Sequence, residues 1–233
     1  MQTLDDFFSS LNAAVKSTDC VDNDFFRAFR AQQLDVDGVQ KFADQYFLYI
    51  RTFPQILAGL AHRVDNEEIR RELAKTIVSE LGGGGEGGMG HYKMFQNACS
   101  PLGIDIAEAG TIEYLPETTA LVDGIRSLFL EGSVEAALGG HYTIELSGLP
   151  MINSFYEGFR ALPGSTVESM EYFYLHLLIE REHVEWIHAA VEQATGGPES
   201  RAEIRRGALL IAELLGNFWG ALHREIVQQP VGA

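Results

Sequence analysis

His176-Leu-Leu-Ile-Glu180-Arg-Glu-His183 sets two imidazoles and a carboxylate at i, i+4 and i+7 of a segment with helical period. At 100° per residue, Glu180 falls about 40° to one side of His176 and His183 about 20° to the other, so all three point along one stripe. Imidazole and carboxylate on one helix stripe is the donor set of iron and manganese sites in helical bundles, where the related Glu-x-x-His motif serves di-iron centres. The same triplet also suits a solvated polar face. Only partners from other helices make it a metal site.

Glu145 is one such partner. It lies in His141-Tyr-Thr-Ile-Glu145-Leu, within a segment of Ala, Gly, Leu and Ile where an unpaired buried charge is costly. Metal ligation and an interhelical ion pair would both satisfy it. Glu80 and His91 flank Gly82-Gly-Gly-Gly-Glu86-Gly-Gly-Met-Gly90, a run that holds seven of the 24 glycines. Each glycine costs a helix roughly 1 kcal/mol relative to alanine, so the run over 82–90 is a loop. Glu80 then ends one helix and His91 opens the next, at the same end of a bundle. A phosphate-cradling loop is set aside, because no strand precedes the run and no Gly-Lys-Ser/Thr closes it.

The elements that must hold these residues are helices. Apolar residues recur three or four apart along most of the chain, which predicts an all-α protein. Helices are expected over roughly 3–17, 22–33, 36–62, 66–81, 89–99, 117–131, 133–161, 166–194 and 199–227. The longest, near 30 residues, span about 45 Å, a length that belongs to a bundle. Pro54 is expected to kink the third. Asp65, Ser165 and Ser200 are the expected N-caps, with Glu68 and Glu168 completing capping boxes after the first two. No linker, repeat or composition shift divides residues 1–233, so one helical domain is expected.

The 233 residues carry 17 Lys+Arg against 33 Asp+Glu, a net charge of −16. Such a surface repels phosphate backbones and anionic leaflets, which argues against nucleic acid and membrane as partners. With 46% hydrophobic and 21% charged residues the chain can build a core. Asp5 and Asp6 stand where a signal peptide would be basic, and no run of 18 apolar residues occurs. Cys20 and Cys99 are the only cysteines and neither sits in a CxxC pair, so a reducing cytoplasm is the expected compartment.

Assembled in order, Glu80-x-Gly82-x-Gly84, His91-x-x-Met94-Phe95, Glu145 and His176-x-x-x-Glu180-x-x-His183 resemble the haem-oxygenase-like di-iron oxidases and oxygenases. These are a branch of the larger group that includes the TenA and PqqC proteins. Upstream, Tyr46-Phe-Leu-Tyr-Ile-Arg-Thr-Phe-Pro54, then Leu57, Leu60 and Arg70, are similar to the CADD-like members. The resemblance implies an up-and-down bundle of about seven main helices. It places the metal ligands on Glu80, His91, Glu145, His176, Glu180 and His183, holding two irons per chain with manganese possible in one site. It also implies a dioxygen-dependent carbon–carbon cleavage, desaturation or N-oxygenation of a small amino-acid-like or fatty-acid-like molecule. An electron donor that the residues do not identify and a homodimer complete that expectation.

Two departures from the family pattern matter. Glu180 stands where the family usually has Asp, and the glycine insertion leaves Glu86 as a rival to Glu80, which is preferred because a helix end holds it. The CADD-like branch is thought to make p-aminobenzoate by consuming a tyrosine. Here Phe25-Phe26 fall at that place, implying an external substrate beside Phe26. His141 is expected to bond a ligand or to join the ligand set, and Phe26, Tyr46 and Tyr142 are candidates for a pocket wall. His62, His188 and His223 are expected at the surface or at helix ends, and Phe25, Tyr49, Tyr92, Tyr172 and Tyr174 in the core. The competing classes are a TenA-like thiamine-fragment hydrolase, a PqqC-like cofactorless oxidase, and a non-catalytic metal-binding or partner-binding helical protein. The first needs a reactive cysteine, and Cys99, followed by Ser-Pro, fits that role poorly. The second leaves the ligand set idle.

Overall fold

The computed structural model describes residues 3–83, 88–106 and 111–228. Among them are nine α-helices: α1 (Leu4–Lys16), α2 (Asp24–Arg30), α3 (Val36–Arg63), α4 (Glu67–Glu80), α5 (His91–Cys99), α6 (Pro116–Glu131), α7 (Val134–Phe159), α8 (Glu171–Ala194) and α9 (Pro198–Leu222). A short 3-10 turn, Ser100–Leu102, follows α5, and a π turn, His223–Val227, extends α9. No β-strand occurs among the described residues.

Helix α7 is the centre of the bundle. Its residues from Ala136 to Glu145 are all buried, because α8 packs on one side and α9 on the other. A helix that is apolar nearly all round must be covered all round. The approach of α7 to α9 depends on glycine at two places. A Cβ on Gly139 would lie 2.7 Å from the Ile204 carbonyl carbon, and one on Gly207 would lie 2.5 Å from that of Ala136. Thr143 Oγ1 then donates across the same seam to the Ala208 carbonyl at 3.0 Å. Helix α3 presents Phe42, Tyr46, Phe53, Leu57 and Leu60 as one buried stripe and packs on α4 and α6. At the α2 end the stripe meets Phe25, Phe29, Phe155 and Trp219 in a cluster of tilted and edge-to-face rings. Full burial of each such ring is worth roughly 1.5–3 kcal/mol.

Several helix starts differ from the sequence expectation, for local reasons. Asn66, not Asp65, caps α4, its side-chain oxygen accepting from the Glu68 and Ile69 amides at 2.8 and 3.2 Å. Helix α8 begins at Glu171 rather than near 166, and Ser165 and Glu168 form no capping box. Thr166 and Ser169 instead exchange backbone-to-hydroxyl bonds that close a separate turn, as such short polar chains do in competition with helix. Gly197 occupies the N-cap of α9, and Ser200 sits inside the first turn, accepting from the Gly197 amide at 2.9 Å. Helix α3 runs on through Pro54.

Candidate metal centre

The stripe on α8 is buried, not solvated. Tyr172 and Phe173 precede it and Ile187, Ala190 and Val191 follow it on the core-facing side, while His176, Glu180 and His183 are 5%, 5% and 1% exposed. Leu178, on the far side of the same helix, is 76% exposed. Along this helix His176, Glu180 and His183 turn inward while Leu178 faces out, an inversion of the ordinary solvation preference that marks a site.

Three other helices bring the remaining candidates to this stripe. Glu80 is the last residue of α4 and His91 the first of α5. The flanks of the glycine run meet closely: Gly82 takes φ +83°, and a Cβ there would lie 2.5 Å from the Met89 carbonyl carbon. Only glycine satisfies both demands. The His91 Nδ1 then stands 3.2 Å from Glu80 Oε1. Glu145 comes from α7. Glu86 lies outside the described residues.

The six residues fall into two groups. Glu80, His91 and His176 each offer a ligand atom within 4.8 Å of one another, and so do Glu145, Glu180 and His183. The groups adjoin, the His91 ring centroid lying 4.3 Å from that of His176 and 6.3 Å from that of His183. The imidazoles of His176 and His183 are each fixed from behind. His176 Nδ1 lies 2.6 Å from the Tyr172 carbonyl oxygen, an acceptor that requires Nδ1–H and leaves Nε2 free for the centre. His183 Nε2 meets Ser79 Oγ at 3.0 Å, leaving Nδ1 3.4 Å from Glu145 Oε2. His141 Nε2 holds the other Glu145 oxygen at 2.7 Å. His141 is therefore bonded to a candidate ligand.

Electrostatics split the two inner carboxylates. Burial pushes Glu145 up, but hydrogen bonds from His141 and His183 outweigh it and hold the carboxyl well below the usual range. Burial and the neighbouring Glu145 charge push Glu180 well above its usual range, and Glu180 Oε2 has no hydrogen-bond partner. Burial also keeps His176 neutral, reinforced by His91, whereas Glu145 overcomes burial at His183 and raises it to about 9. One prediction concerns the metal-free protein. A histidine raised from 6.5 to about 9 adds stability that is complete below pH 6.5 and lost as pH rises through 9. The buried Glu180 charge acts in the same direction above its ordinary value. The metal-free Tm is expected to fall between pH 6.5 and 9 by differential scanning calorimetry. A profile that is flat over this range refutes the Glu145–His183 pair as drawn.

Beside the groups lies a cavity of about 50 Å³, walled by Tyr46, Tyr49, Ile50, Phe53, Ile144 and Met151 together with Glu80, His91, Glu145, His176 and Glu180. It has room for a few waters, each needing about 10–15 Å³. Tyr46 is on its wall, and its hydroxyl meets that of Tyr172 at 3.0 Å. Phe26 and Tyr142 are not brought there: Phe26 packs on Trp219 and Phe155, and the Tyr142 hydroxyl donates to Asn12 at 2.9 Å. Neither cysteine lines the cavity, and burial raises Cys99 far above a reactive thiol, which removes the thiol chemistry of a TenA-like hydrolase. His188 is half-buried and stacked on Phe8 with centroids 3.9 Å apart, where a surface position was expected. Tyr174 is 38% exposed rather than core. Sequence reasoning missed Ser79 and Gly148. Ser79 has no signal beyond preceding Glu80, whereas Gly148 stands three residues after Glu145 on the same helical face.

The same course of chain is found in a CADD-like protein from Nostoc punctiforme, with TM-score 0.81 at 19% identity over 96% of this chain and 98% of that one. The fold is the haem-oxygenase-like helical bundle. The chain belongs to the family of iron-containing redox enzymes, whose model matches residues 40–216 and so spans all six candidate ligands. It is 26% identical to the 4-chloro-allylglycine synthase of Streptantibioticus cattleyicolor over 95% of this chain and 84% of the relative. It is 22% identical to a 4-aminobenzoate synthase of Chlamydia pneumoniae over 89% of this chain and 91% of that one.

Proposed function

We propose that this chain is a non-haem di-iron oxidase or oxygenase that uses dioxygen on a small amino-acid-like or fatty-acid-like substrate. The observation that carries it is the pair of three-ligand groups side by side in the core, with Glu180 Oε2 buried and without a partner. A buried carboxylate oxygen so placed fits a cation. Glu80, His91 and His176 would hold one iron, and Glu145, Glu180 and His183 the other. Two ferrous ions bound there supply the electrons and Lewis acidity for oxidation by dioxygen.

The chain's own residues do the rest. The Tyr172 carbonyl, Ser79 and His141 orient ligand atoms, and Ile50, Phe53, Ile144 and Met151 keep bulk water away. Burial keeps the Tyr46 and Tyr172 hydroxyls neutral, and because one donates to the other, the second O–H of the pair is the one that can donate toward a guest. Ligand pockets run to roughly 300–1,000 Å³, so substrate entry must displace side chains of this wall. An amino-acid-like guest accords with the relative named 4-chloro-allylglycine synthase. Manganese in one site, a homodimer, a cytoplasmic location and an external electron donor belong to the same reading. Two buried free cysteines support the compartment, and no helix among the described residues is long and apolar enough to cross a membrane.

Anaerobic titration is expected to saturate near two ferrous ions per chain, as in other bundle di-iron sites, and near one in His91→Ala. Saturation at one ion, with His91→Ala harmless, refutes the two-metal reading. Because His183 carries a proton below about pH 9 and a ligand nitrogen must be neutral, iron uptake at pH 7 is expected to release protons and to tighten as pH rises. Isothermal titration in buffers of different ionisation enthalpy measures that release. With Phe25 and Phe26 in place of a tyrosine, the reduced, iron-loaded chain is expected to make no p-aminobenzoate when given oxygen alone. Peptide mass spectrometry showing loss at a tyrosine, with p-aminobenzoate formed, overturns the external substrate.

A further inference from the structure

Gly148 of α7 faces Glu180 of α8, and both line the cavity. A Cβ built on Gly148 stands 2.8 Å from Glu180 Cδ and 3.1 Å from Oε1, and closer still to Oε2. The carboxylate occupies the volume that any side chain at 148 would take. The backbone does not ask for glycine here. Gly148 is absent from the positive-φ glycines Gly82, Gly88, Gly103 and Gly164, and a helix interior disfavours glycine. What remains as the reason for glycine is the space given to Glu180.

We propose that Gly148 is a positioning residue of the metal centre, size-matched to Glu180: its missing side chain admits a glutamate at 180 and aims that carboxylate at the group formed with Glu145 and His183. The inference rests on Glu180 being a ligand, as read above. With a methyl group at 148, atoms closer than van der Waals contact force the Glu180 carboxylate aside. The adjustable end of a side chain moves more cheaply than helix backbone, so the fold absorbs the change and the ligand geometry does not. Shortening the carboxylate to aspartate withdraws it from the added methyl.

The test is anaerobic Fe(II) and Co(II) titration of Gly148→Ala, Glu180→Asp, the double variant and Glu180→Ala, with the metal-free Tm of each. Gly148→Ala is expected to weaken one of the two equivalents tenfold or more while helicity by circular dichroism stays at the wild-type level. The double variant is expected to bind more tightly than Gly148→Ala alone, a non-additive cycle of the kind that contacting residues give. Wild-type binding by Gly148→Ala overturns the proposal, as does a double variant weaker than either single. Glu180→Ala separates the two levels. Full binding by Glu180→Ala refutes the ligand reading itself. An equivalent lost in Glu180→Ala but none lost in Gly148→Ala refutes only the size match. If Gly148→Ala does not fold, the double variant decides: folding with both equivalents bound supports the pair, and failure to fold overturns it.

Discussion

Glu145→Ala is expected to lower turnover by about a thousandfold, equivalent to roughly 4 kcal/mol of transition-state stabilisation, and to remove one iron equivalent. Both oxygens of Glu145 are engaged, one by His141 and the other by His183, and the residue is buried in the most enclosed helix of the bundle. Truncation deletes a candidate ligand and also frees the His183 ring that it aligns. The damage to the fold is smaller than for a strictly charged pair, because His183 can lose its proton instead of staying charged without a partner. With His183 raised to about 9, the pair's contribution at pH 7.5 is about 2 kcal/mol, and it vanishes above pH 9. Turnover should therefore collapse at every pH, while the Tm penalty shrinks as pH rises. Glu145→Gln keeps shape and removes charge, and should lose the iron equivalent with a smaller Tm change. A Glu145→Ala chain that keeps two irons and measurable turnover removes Glu145 from the centre.

The α8 stripe was legible because three chemistry-bearing side chains repeat at the helical period, and burial alone then separates a site from a wet face. Glu145 was legible from its contrast with an apolar segment, and Glu80 and His91 from a loop that forces their helices to meet. The resemblance supplied the joint assignment, which period and composition could not. What stayed hidden depends on the third dimension. Ser79 touches His183 across 104 positions of sequence. The Tyr172 carbonyl acts through backbone, which has no residue signature. The start of α8 was missed because Thr166 and Ser169 satisfy each other's backbone instead of capping a helix. Alignment with a tyrosine makes Phe26 a pocket candidate, but a ring without a hydroxyl packs where apolar contacts are offered, here against Trp219.

Gly207→Ala is expected to destabilise the protein by about 3 kcal/mol, near the upper end of ordinary overpacking, and to lower Tm by roughly 6–12 °C at 2–4 °C per kcal/mol for a chain of this size. The expectation runs against helix propensity, which favours alanine over glycine by about 1 kcal/mol, so the sign of the change is itself the test. The added Cβ at 207 would meet the Ala136 carbonyl carbon at 2.5 Å and Cα at 2.8 Å, all backbone of α7. Side chains can rotate away from an intruder, but a helix backbone can only translate. Gly139 faces Ile204 backbone across the same seam, with Cα at 2.9 Å, so its replacement should cost a similar amount, and the two together less than their sum once the helices have parted. Parting α7 from α9 also loosens the Thr143 bond to Ala208, half a turn from Glu145, so iron affinity should fall with stability. Gly220 on α9 is the control: the nearest atom to its added Cβ is Arg224 Nη1 at 3.5 Å, and Gly220→Ala should raise Tm slightly. If Gly207→Ala melts above wild type as Gly220→Ala does, α7 and α9 do not approach as closely as drawn, and the placement of Glu145 loses its support.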